Sequence, residues 1–483
     1  MKIIELRKKL SSLISGDVLW DKEIINCYSV DSGSYMIKPK VVVFPKNKEE
    51  VVKIVKFAFK NKISITPRGG GTGLVGSAVG DEIIMDLKNL NKIKFEDNSV
   101  IVESGTPKGK LDLELERRKK FLGPNPSVGP YCTLGGMIAT NASGSRSLKY
   151  GATIDNILEI EFVDGHGDLL RFPNNSEMSD KILKIADKIN QETFPKVSKN
   201  SCGYRLDKIS KINDVQKILA GSEGTLGIII SAKLKIYNNP DNRKLLVFGY
   251  SQVKDAMKDC KKIIRIKPAA LEFIDDKTLK NIDYRFPKKT KCLLFIELDE
   301  NLEKDKLLKK ILKGILIKNI QNESEIKKWW KFRDSSLSYS LRNILKAEKA
   351  PHIIEDATVP IEKLNKLMRL IEKINQNFDS RSIIYGHAGN GNLHVRLITK
   401  EKNKKIIKKI AEVYFSNVIK FGGTITGEHG DGLARTEFVK QQYGNDTFLE
   451  FKRLKKILDS HAILNPGKII SDKSQIIEKL QLS

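Results

Sequence analysis

The chain has 483 residues, 40% of them hydrophobic, enough for two or three domains with substantial cores, and no apolar run approaches the roughly 18 residues of a membrane-spanning helix. Its formal net charge of +27 raises the question of a nucleic-acid partner, but the lysines are spread over many amphipathic stretches, as at 304–318 and 402–409, without an arginine–aromatic block. No nucleic acid is therefore expected, and an anionic membrane surface is the better-motivated use of the excess charge. Cys27, Cys132, Cys202, Cys260 and Cys292 are widely and irregularly spaced and read as reduced thiols. The start, Met1-Lys2-Ile3-Ile4-Glu5-Leu6-Arg7, lacks the apolar region of a secretory signal, so the expected location is the cytoplasm, with peripheral attachment to the inner face of the membrane as an extension.

In chain order, 41–44 reads as a strand, Val51, Val52, Val55, Ala58 and Phe59 fall at helical spacing, and Ile63 and Ile65 begin a second strand. Pro67-Arg68-Gly69-Gly70-Gly71-Thr72-Gly73-Leu74 follows. Successive glycines let backbone N–H groups converge on an anion with no side chain in the way. The run is neither a Walker loop, since no Gly-Lys-Ser/Thr follows, nor the dinucleotide G-x-G-x-x-G placed directly before a long helix, and the alternative for this segment alone is an ordinary flexible turn. Two further stretches make that reading hard to keep. Pro124-Asn125-Pro126-Ser127 precedes Thr133-Leu134-Gly135-Gly136-Met137-Ile138-Ala139-Thr140-Asn141-Ala142-Ser143-Gly144, and Gly221-Ser222-Glu223-Gly224-Thr225-Leu226-Gly227-Ile228 precedes a strand-like 229–236. Small residues here let a flat, extended ligand lie against the backbone.

Between these stretches, 160–172 predicts a hairpin turning at Asp164-Gly165-His166-Gly167, with His166 a turn residue. Beyond Leu245 the pattern lengthens. Strands at 245–250, 271–274 and 292–298 alternate with lysine-rich amphipathic helices, which predicts an antiparallel sheet covered by helices.

Three of the six histidines lie in two late clusters, Gly386-His387-Ala388-Gly389-Asn390-Gly391-Asn392-Leu393-His394 and Gly427-Glu428-His429-Gly430. The first sits between β-like runs at 382–385 and 393–399, so a glycine-rich turn can bring His387 and His394 together. Glu428 would add an anionic ligand suited to a divalent ion, zinc or manganese, leaving His429 as a base. The alternative for each histidine taken singly is a half-buried polar position.

The order of these motifs resembles the FAD-linked oxidases and dehydrogenases of the vanillyl-alcohol oxidase type. The nearest branch is the D-2-hydroxyacid dehydrogenases, which include glycolate oxidase, D-lactate dehydrogenase and D-2-hydroxyglutarate dehydrogenase. The resemblance runs from about 41 to 468 and takes in Ile354-Glu355-Asp356-Ala357-Thr358-Val359-Pro360 and Leu464-Asn465-Pro466-Gly467-Lys468. It implies an α+β fold: a two-subdomain FAD-binding domain (1–238), a cap with an antiparallel sheet covered by helices (239–435), and a C-terminal segment returning to the FAD domain (436–483). By the same resemblance Arg68, Gly69, Gly70, Gly71 and Thr72, with Gly73 beside them, and Leu134, Gly135, Gly136 and Ala139 would hold the FAD pyrophosphate. Pro126, Ser127, Asn141, Gly144 and Ser145 would line the cofactor. Gly221, Glu223, Gly224, Gly227 and Ile228 would meet its adenosine or isoalloxazine portions, and Asn465 would close the site.

The expected reaction is oxidation of a D-2-hydroxy acid to the 2-oxo acid. A metal on His387, His394 and Glu428 would hold the hydroxyl and a carboxylate oxygen, and His429 would take the hydroxyl proton. Arg333, in Trp329-Trp330-Lys331-Phe332-Arg333-Asp334, resembles the arginine of the family's W-x-x-R motif. Its fork suits a carboxylate, with pairing to Asp334 or Glu325 as the alternative and Lys349 as a second candidate. No histidine flanks 67–73, so non-covalent FAD is expected. No cysteine-rich iron–sulfur module follows Ser483, so electrons would leave to a separate acceptor: a quinone, an electron-transfer flavoprotein or an iron–sulfur subunit. A homodimer is the expected assembly. The rival reading is a non-redox lyase or transferase of the alkylglycerone-phosphate synthase kind. Glycolate, lactate and 2-hydroxyglutarate share the reacting atoms and differ only in what the cap meets beyond Cα.

Overall fold

Val41–Phe44 offers no polar face, and in the computed structural model it is a strand buried on both sides. The structure describes residues 2–279, 284–341, 344–471 and 473–482, so Met1 and Ser483, the outermost residues of the expected first and last segments, lie outside the described residues. The first sheet contains β1 (Asp17–Leu19), β2 (Val41–Phe44), β3 (Ile65–Arg68) and β4 (Ile83–Asp86) in the order β1-β2-β4-β3, with β2, β4 and β3 parallel. Val41 and Val43 pack with Val51, Ile54, Val55 and Ala58 of the helix Lys48–Asn61, while Val42 and Phe44 pack with Ile25 on the other face. Helices on both faces explain the unbroken apolar strand. The Asn47 side chain accepts from Glu50 N to start that helix, and Lys62 ends it in the left-handed region, so the second strand begins at Ile65 rather than Ile63.

The second sheet is antiparallel. It has β5 (Ile93–Phe95), β6 (Ser99–Glu103), β7 (Lys120–Leu122), β8 (Ile157–Val163), β9 (Leu169–Phe172) and β10 (Ile228–Asn238) in the order β5-β6-β10-β8-β9, with β7 on the far end of β10. The predicted hairpin is β8–β9, and His166 sits in its turn, bonded to Asp164 and Ser460.

The cap sheet runs β14-β11-β13-β12-β15-β16, antiparallel throughout, from β11 (Lys244–Tyr250), β12 (Ala270–Asp275), β13 (Cys292–Leu298), β14 (Ile315–Ile320), β15 (Ser380–His387) and β16 (Asn392–Thr399). Alternation sorts its side chains. Leu245, Val247, Leu293 and Phe295 meet Ile326 and Trp329 of the helix Glu323–Leu341, while Leu246, Phe248, Leu294 and Ile296 join the core containing Met257, Cys260, Leu364 and Leu367. That second core is continuous with the one beneath β6, β8 and β10, so the cap and the second sheet share one apolar interior. Among the described residues no helix is long and apolar enough to cross a membrane.

The helical segment Gly432–Leu458, kinked at Gly444, runs through the expected 435/436 boundary and carries the chain from the cap side into the C-terminal segment. Beyond it the chain returns to the first sheet: Ile65 N donates to Ile463 O and Asn465 N to Ile65 O, both at 2.8 Å. The fully buried Asn465 side chain then accepts from Thr66 Oγ1 at 3.0 Å and donates to Ser77 O at 2.8 Å and Glu223 O at 2.7 Å. It ties together β3, the loop after the first glycine run and the third glycine stretch. Asn465→Ala strands three buried polar groups and is expected to cost about 2–3 kcal/mol. A thermal unfolding midpoint lowered by several degrees checks this, and an unchanged midpoint would assign the tie no stabilising role.

Candidate active site

The three glycine stretches and the late histidine clusters line one cavity of about 560 Å³ between the FAD-binding half and the cap. Its glycine wall is close-packed. A Cβ on Gly69 would stand 2.1 Å from Thr133 Oγ1, one on Gly70 2.4 Å from Tyr131 O, and one on Gly135 2.6 Å from Ser104 Cβ. The first two loops therefore interlock with no room for side chains. The backbone N–H groups of Gly69, Gly70, Gly71, Thr72 and Gly73 find no acceptor among the described residues although all five residues line the cavity. A row of unengaged amide donors on the cavity wall fits a pyrophosphate, and the cavity size fits a cofactor.

At the cap end, β15 and β16 meet in a hairpin whose register sets Tyr385 opposite His394 and His387 opposite Asn392. The His387 and His394 ring centroids are 5.2 Å apart, and His429 stacks on His394 at 4.8 Å. Each imidazole is oriented through Nδ1. His387 faces Glu272 Oε1 at 2.6 Å, His394 the Glu355 carbonyl at 3.3 Å, and His429 Glu355 Oε2 at 2.7 Å. With Nδ1 of each ring engaged by a protein acceptor, all three Nε2 atoms point at one place. That place is Glu428 Oε1, 2.9 Å from His387 Nε2, 3.2 Å from His394 Nε2 and 3.8 Å from His429 Nε2.

Protonated Nε2 atoms donate to this oxygen, whereas deprotonated ones present lone pairs that a cation can bridge to it. The ligand atoms of His387, His394 and Glu428 all lie within 4.8 Å of one another, and ligands about 2.1 Å from an ion stand roughly 3.0–3.4 Å apart, so this donor set fits a divalent metal. A second group, Glu355, Asp356, His394 and His429, is spaced as well, but its acceptors are engaged. Arg435 bonds Glu355 Oε1, and Asp356 Oδ2 accepts from Gly427 N, Glu428 N and His429 N at 3.0, 2.9 and 2.8 Å. Three successive N–H groups on one oxygen bend the 427–430 backbone, which is how neighbours Glu428 and His429 reach the same cavity instead of opposite sides.

The charges are set by these contacts. Burial alone would raise Glu428, but Lys199, at 2.8 Å, and the two histidines hold it well below the usual carboxylate range. Burial lowers His394. Burial would lower His429 too, yet Asp356 and Glu355 outweigh it and push it up to about 9.

Residues 239–469 match the model of FAD linked oxidases, C-terminal domain, and residues 39–173 that of the FAD binding domain. Glycolate oxidase subunit GlcD of Bacillus subtilis (strain 168) is 32% identical over 467 residues, covering 92% of each chain. The chain belongs to the FAD-linked oxidase and dehydrogenase family, on its D-2-hydroxyacid branch. D-2-hydroxyglutarate dehydrogenase of Pseudomonas putida is 27% identical across 94% of this chain, which spans about half of that relative, 50%. Among solved structures, an alkyldihydroxyacetonephosphate synthase shares the fold, with a TM-score of 0.69 at 19% identity over 97% of this chain and 85% of that one.

On this FAD-linked oxidase framework most expected cofactor residues stand on the cavity wall: Arg68 through Gly73, Pro126, Ser127, Gly135, Gly136, Ala139, Ser145, Glu223, Gly224 and Gly227. Six stand behind it. Leu134 and Ile228 point into cores, Asn141 caps a helix and bonds Asn200 and Ser201, Gly144 donates its N–H to Glu428, Gly221 makes a left-handed turn, and Asn465 forms the tie already described. Lys349 is off the wall as well. Its backbone pairs with Thr399 at the end of β16 remote from His394, so it is placed as a strand-edge residue. Arg333 lines the cavity, but its guanidinium is shared between Glu272 and Asp334. The alternative of pairing with Asp334 is thus realised, together with a buried carboxylate 61 residues away. Glu272, Lys199, Glu355 and Asp356 had no assigned role from sequence. Glu272 did carry a signal, as an acid flanked by apolar residues inside the buried strand β12.

Gly70→Leu is expected to force the interlocked loops apart and yield protein with less than about a tenth of the wild-type flavin, read from absorbance of purified protein. In the wild type, Cys132 on the wall is held as a thiol by burial, its pKa pushed up to about 11. Acid precipitation should therefore leave FAD in the supernatant, and yellow pellets would contradict non-covalent binding.

Proposed function

We propose that the protein oxidises a D-2-hydroxy acid to the 2-oxo acid, with non-covalent FAD in the glycine-lined cavity and a divalent metal, zinc or manganese, on His387, His394 and Glu428. The observation that carries this reading is the convergence of three Nε2 atoms and one carboxylate oxygen on a cavity whose other wall is a row of free amide donors. When bound, the metal would acidify a coordinated hydroxyl and offset the carboxylate field around His429, and FAD would accept the hydride.

The chain's own residues supply the rest. His429, its Nδ1–H fixed by Glu355, presents Nε2 as the acceptor for the hydroxyl proton. Glu355 then stabilises the imidazolium, and Arg435, bonded to Glu355 on its other oxygen, keeps that carboxylate from turning away. Glu272 orients His387, and Arg333 holds Glu272 in place while presenting its positive field to a substrate carboxylate. Burial of His387, His394 and Glu428 excludes bulk water from the reacting centre. Electrons would leave to a separate acceptor, a quinone, an electron-transfer flavoprotein or an iron–sulfur partner.

Anaerobic mixing with D- and L-2-hydroxy acids should bleach the flavin fastest with a D-acid. A flavin untouched by every member would remove the dehydrogenase reading and favour a non-redox reaction on the same fold. His387→Ala and His394→Ala should each abolish bound metal, measured by elemental analysis, together with flavin reduction. His429→Asn should keep metal and FAD but slow reduction by about 10²–10⁴. Active wild-type enzyme that is metal-free and indifferent to chelators would reassign the two histidines as direct substrate ligands.

A further inference from the structure

The cavity wall carries a guanidinium with no role in the cluster above. Arg396 is 3% exposed and lines the cavity, and its Nε and Nη1 are buried without a hydrogen-bond partner among the described residues. The contrast with its neighbours is sharp: Arg333 is shared by Glu272 and Asp334, and Arg435 by Glu355 and backbone carbonyls. Burying a guanidinium without a counter-charge is unfavourable, and an arginine kept in that condition on a ligand cavity fits an anion that arrives with the ligand.

Its position says which part of the ligand. His394 and Arg396 are two residues apart on β16 and share a face, with Tyr385 opposite His394 and Ile383 opposite Arg396. Two residues of antiparallel strand advance about 6.8 Å, so Arg396 stands two cross-strand pairs further from the hairpin turn than His394. A substrate whose hydroxyl and adjoining carboxylate lie at His387, His394 and Glu428 extends its Cα substituent over that distance only if the substituent is several bonds long. A methyl group set against Arg396 would leave the charge dehydrated and unpaired.

We infer that the substrate carries a second anionic group at the end of its side chain and that Arg396 is the residue that selects it. This inference rests on the 2-hydroxy acid reading above and narrows it to acids such as 2-hydroxy dicarboxylates or phosphorylated 2-hydroxy acids. Glycolate and lactate lack the group that Arg396 pairs with. The planar fork serves either a carboxylate or a phosphate.

The test uses the flavin-loaded protein, mixed anaerobically with D-2-hydroxyglutarate, D-malate, D-3-phosphoglycerate, D-lactate and glycolate. Flavin reduction should be most efficient, as kcat/KM, with a di-anionic acid, by at least about tenfold over D-lactate, and the two dicarboxylates against the phosphate ester identify the distal group. In Arg396→Met, which keeps length and burial, the ratio of the best di-anionic acid to D-lactate should fall by roughly 10–100-fold, the worth of one charge-assisted contact. Arg396→Lys should give an intermediate ratio, and retained FAD absorbance shows that either variant is folded. Wild-type efficiency with D-lactate equal to that with every di-anion would overturn the inference while leaving the oxidation reading intact. So would a ratio unchanged by Arg396→Met, which would place the arginine on the carboxylate all these acids share. A flavin bleached by none of them would end both.

Discussion

The Glu428 carboxylate is gripped from two sides, and the geometry of the cavity depends on it. Ser143 Oγ, Gly144 N and Lys199 Nζ, all from the FAD-binding half, donate to Oε2, while Oε1 faces His387 and His394 of the cap hairpin. Lys199 is itself 1% exposed, so neither partner of this ion pair can be removed without leaving a buried charge, typically a loss of about 3–5 kcal/mol. The pair therefore acts as a clasp between two halves of the chain, and the cavity is the space it holds closed. Asp356 sets the clasp's direction, because gathering the N–H groups of residues 427–429 on one oxygen aims both Glu428 and His429 inward.

What was legible in the sequence is what short-range geometry controls. The β15–β16 hairpin could be read because a glycine-rich turn between two apolar runs brings positions 387 and 394 together whatever the rest of the chain does. The glycine loops were legible for a similar reason, although their cause is partly different. At Gly69, Gly70 and Gly135 the missing Cβ is required first by neighbouring protein atoms, and the close packing of those loops then exposes the amide donors. A glycine in such a loop reports close approach, and only the fold says to what.

The residues that sequence reasoning left without a role act across long separations. Lys199 meets a carboxylate 229 residues away, Glu272 a histidine 115 residues away, and Glu355 an arginine 80 residues away. No local period carries such pairs. Two assignments shifted for the same reason. Asn465 stands behind the wall because its side chain is consumed by three partners brought from β3 and two loops, and Lys349 pairs with Thr399 at the end of β16 remote from His394. Arg396 was the recoverable case: in Leu393-His394-Val395-Arg396 the charge repeats at period two from a candidate ligand, so a strand that brings His394 to the site must bring Arg396 to the same face.

The charge pattern around the histidines divides labour among otherwise identical side chains. All three set Nδ1 against a protein acceptor, yet the acceptors differ: a carboxylate shared with Arg333, a backbone carbonyl, and a carboxylate shared with Arg435. His394, with the Glu355 carbonyl nearest its Nδ1 and Asp356 Oδ1 at 3.7 Å, is lowered by burial and stays neutral, which suits the proposed metal ligand. His429, between Glu355 and Asp356, is raised to about 9 and is an imidazolium at neutral pH unless a cation at the site offsets that carboxylate field, the condition under which it would act as a base. Under the proposed roles, the distinction between ligand and base would be made one layer out, by which acceptor stands behind each ring. Exchanging the rings' positions would change nothing, whereas exchanging Glu355 for a neutral acceptor would erase the difference between them.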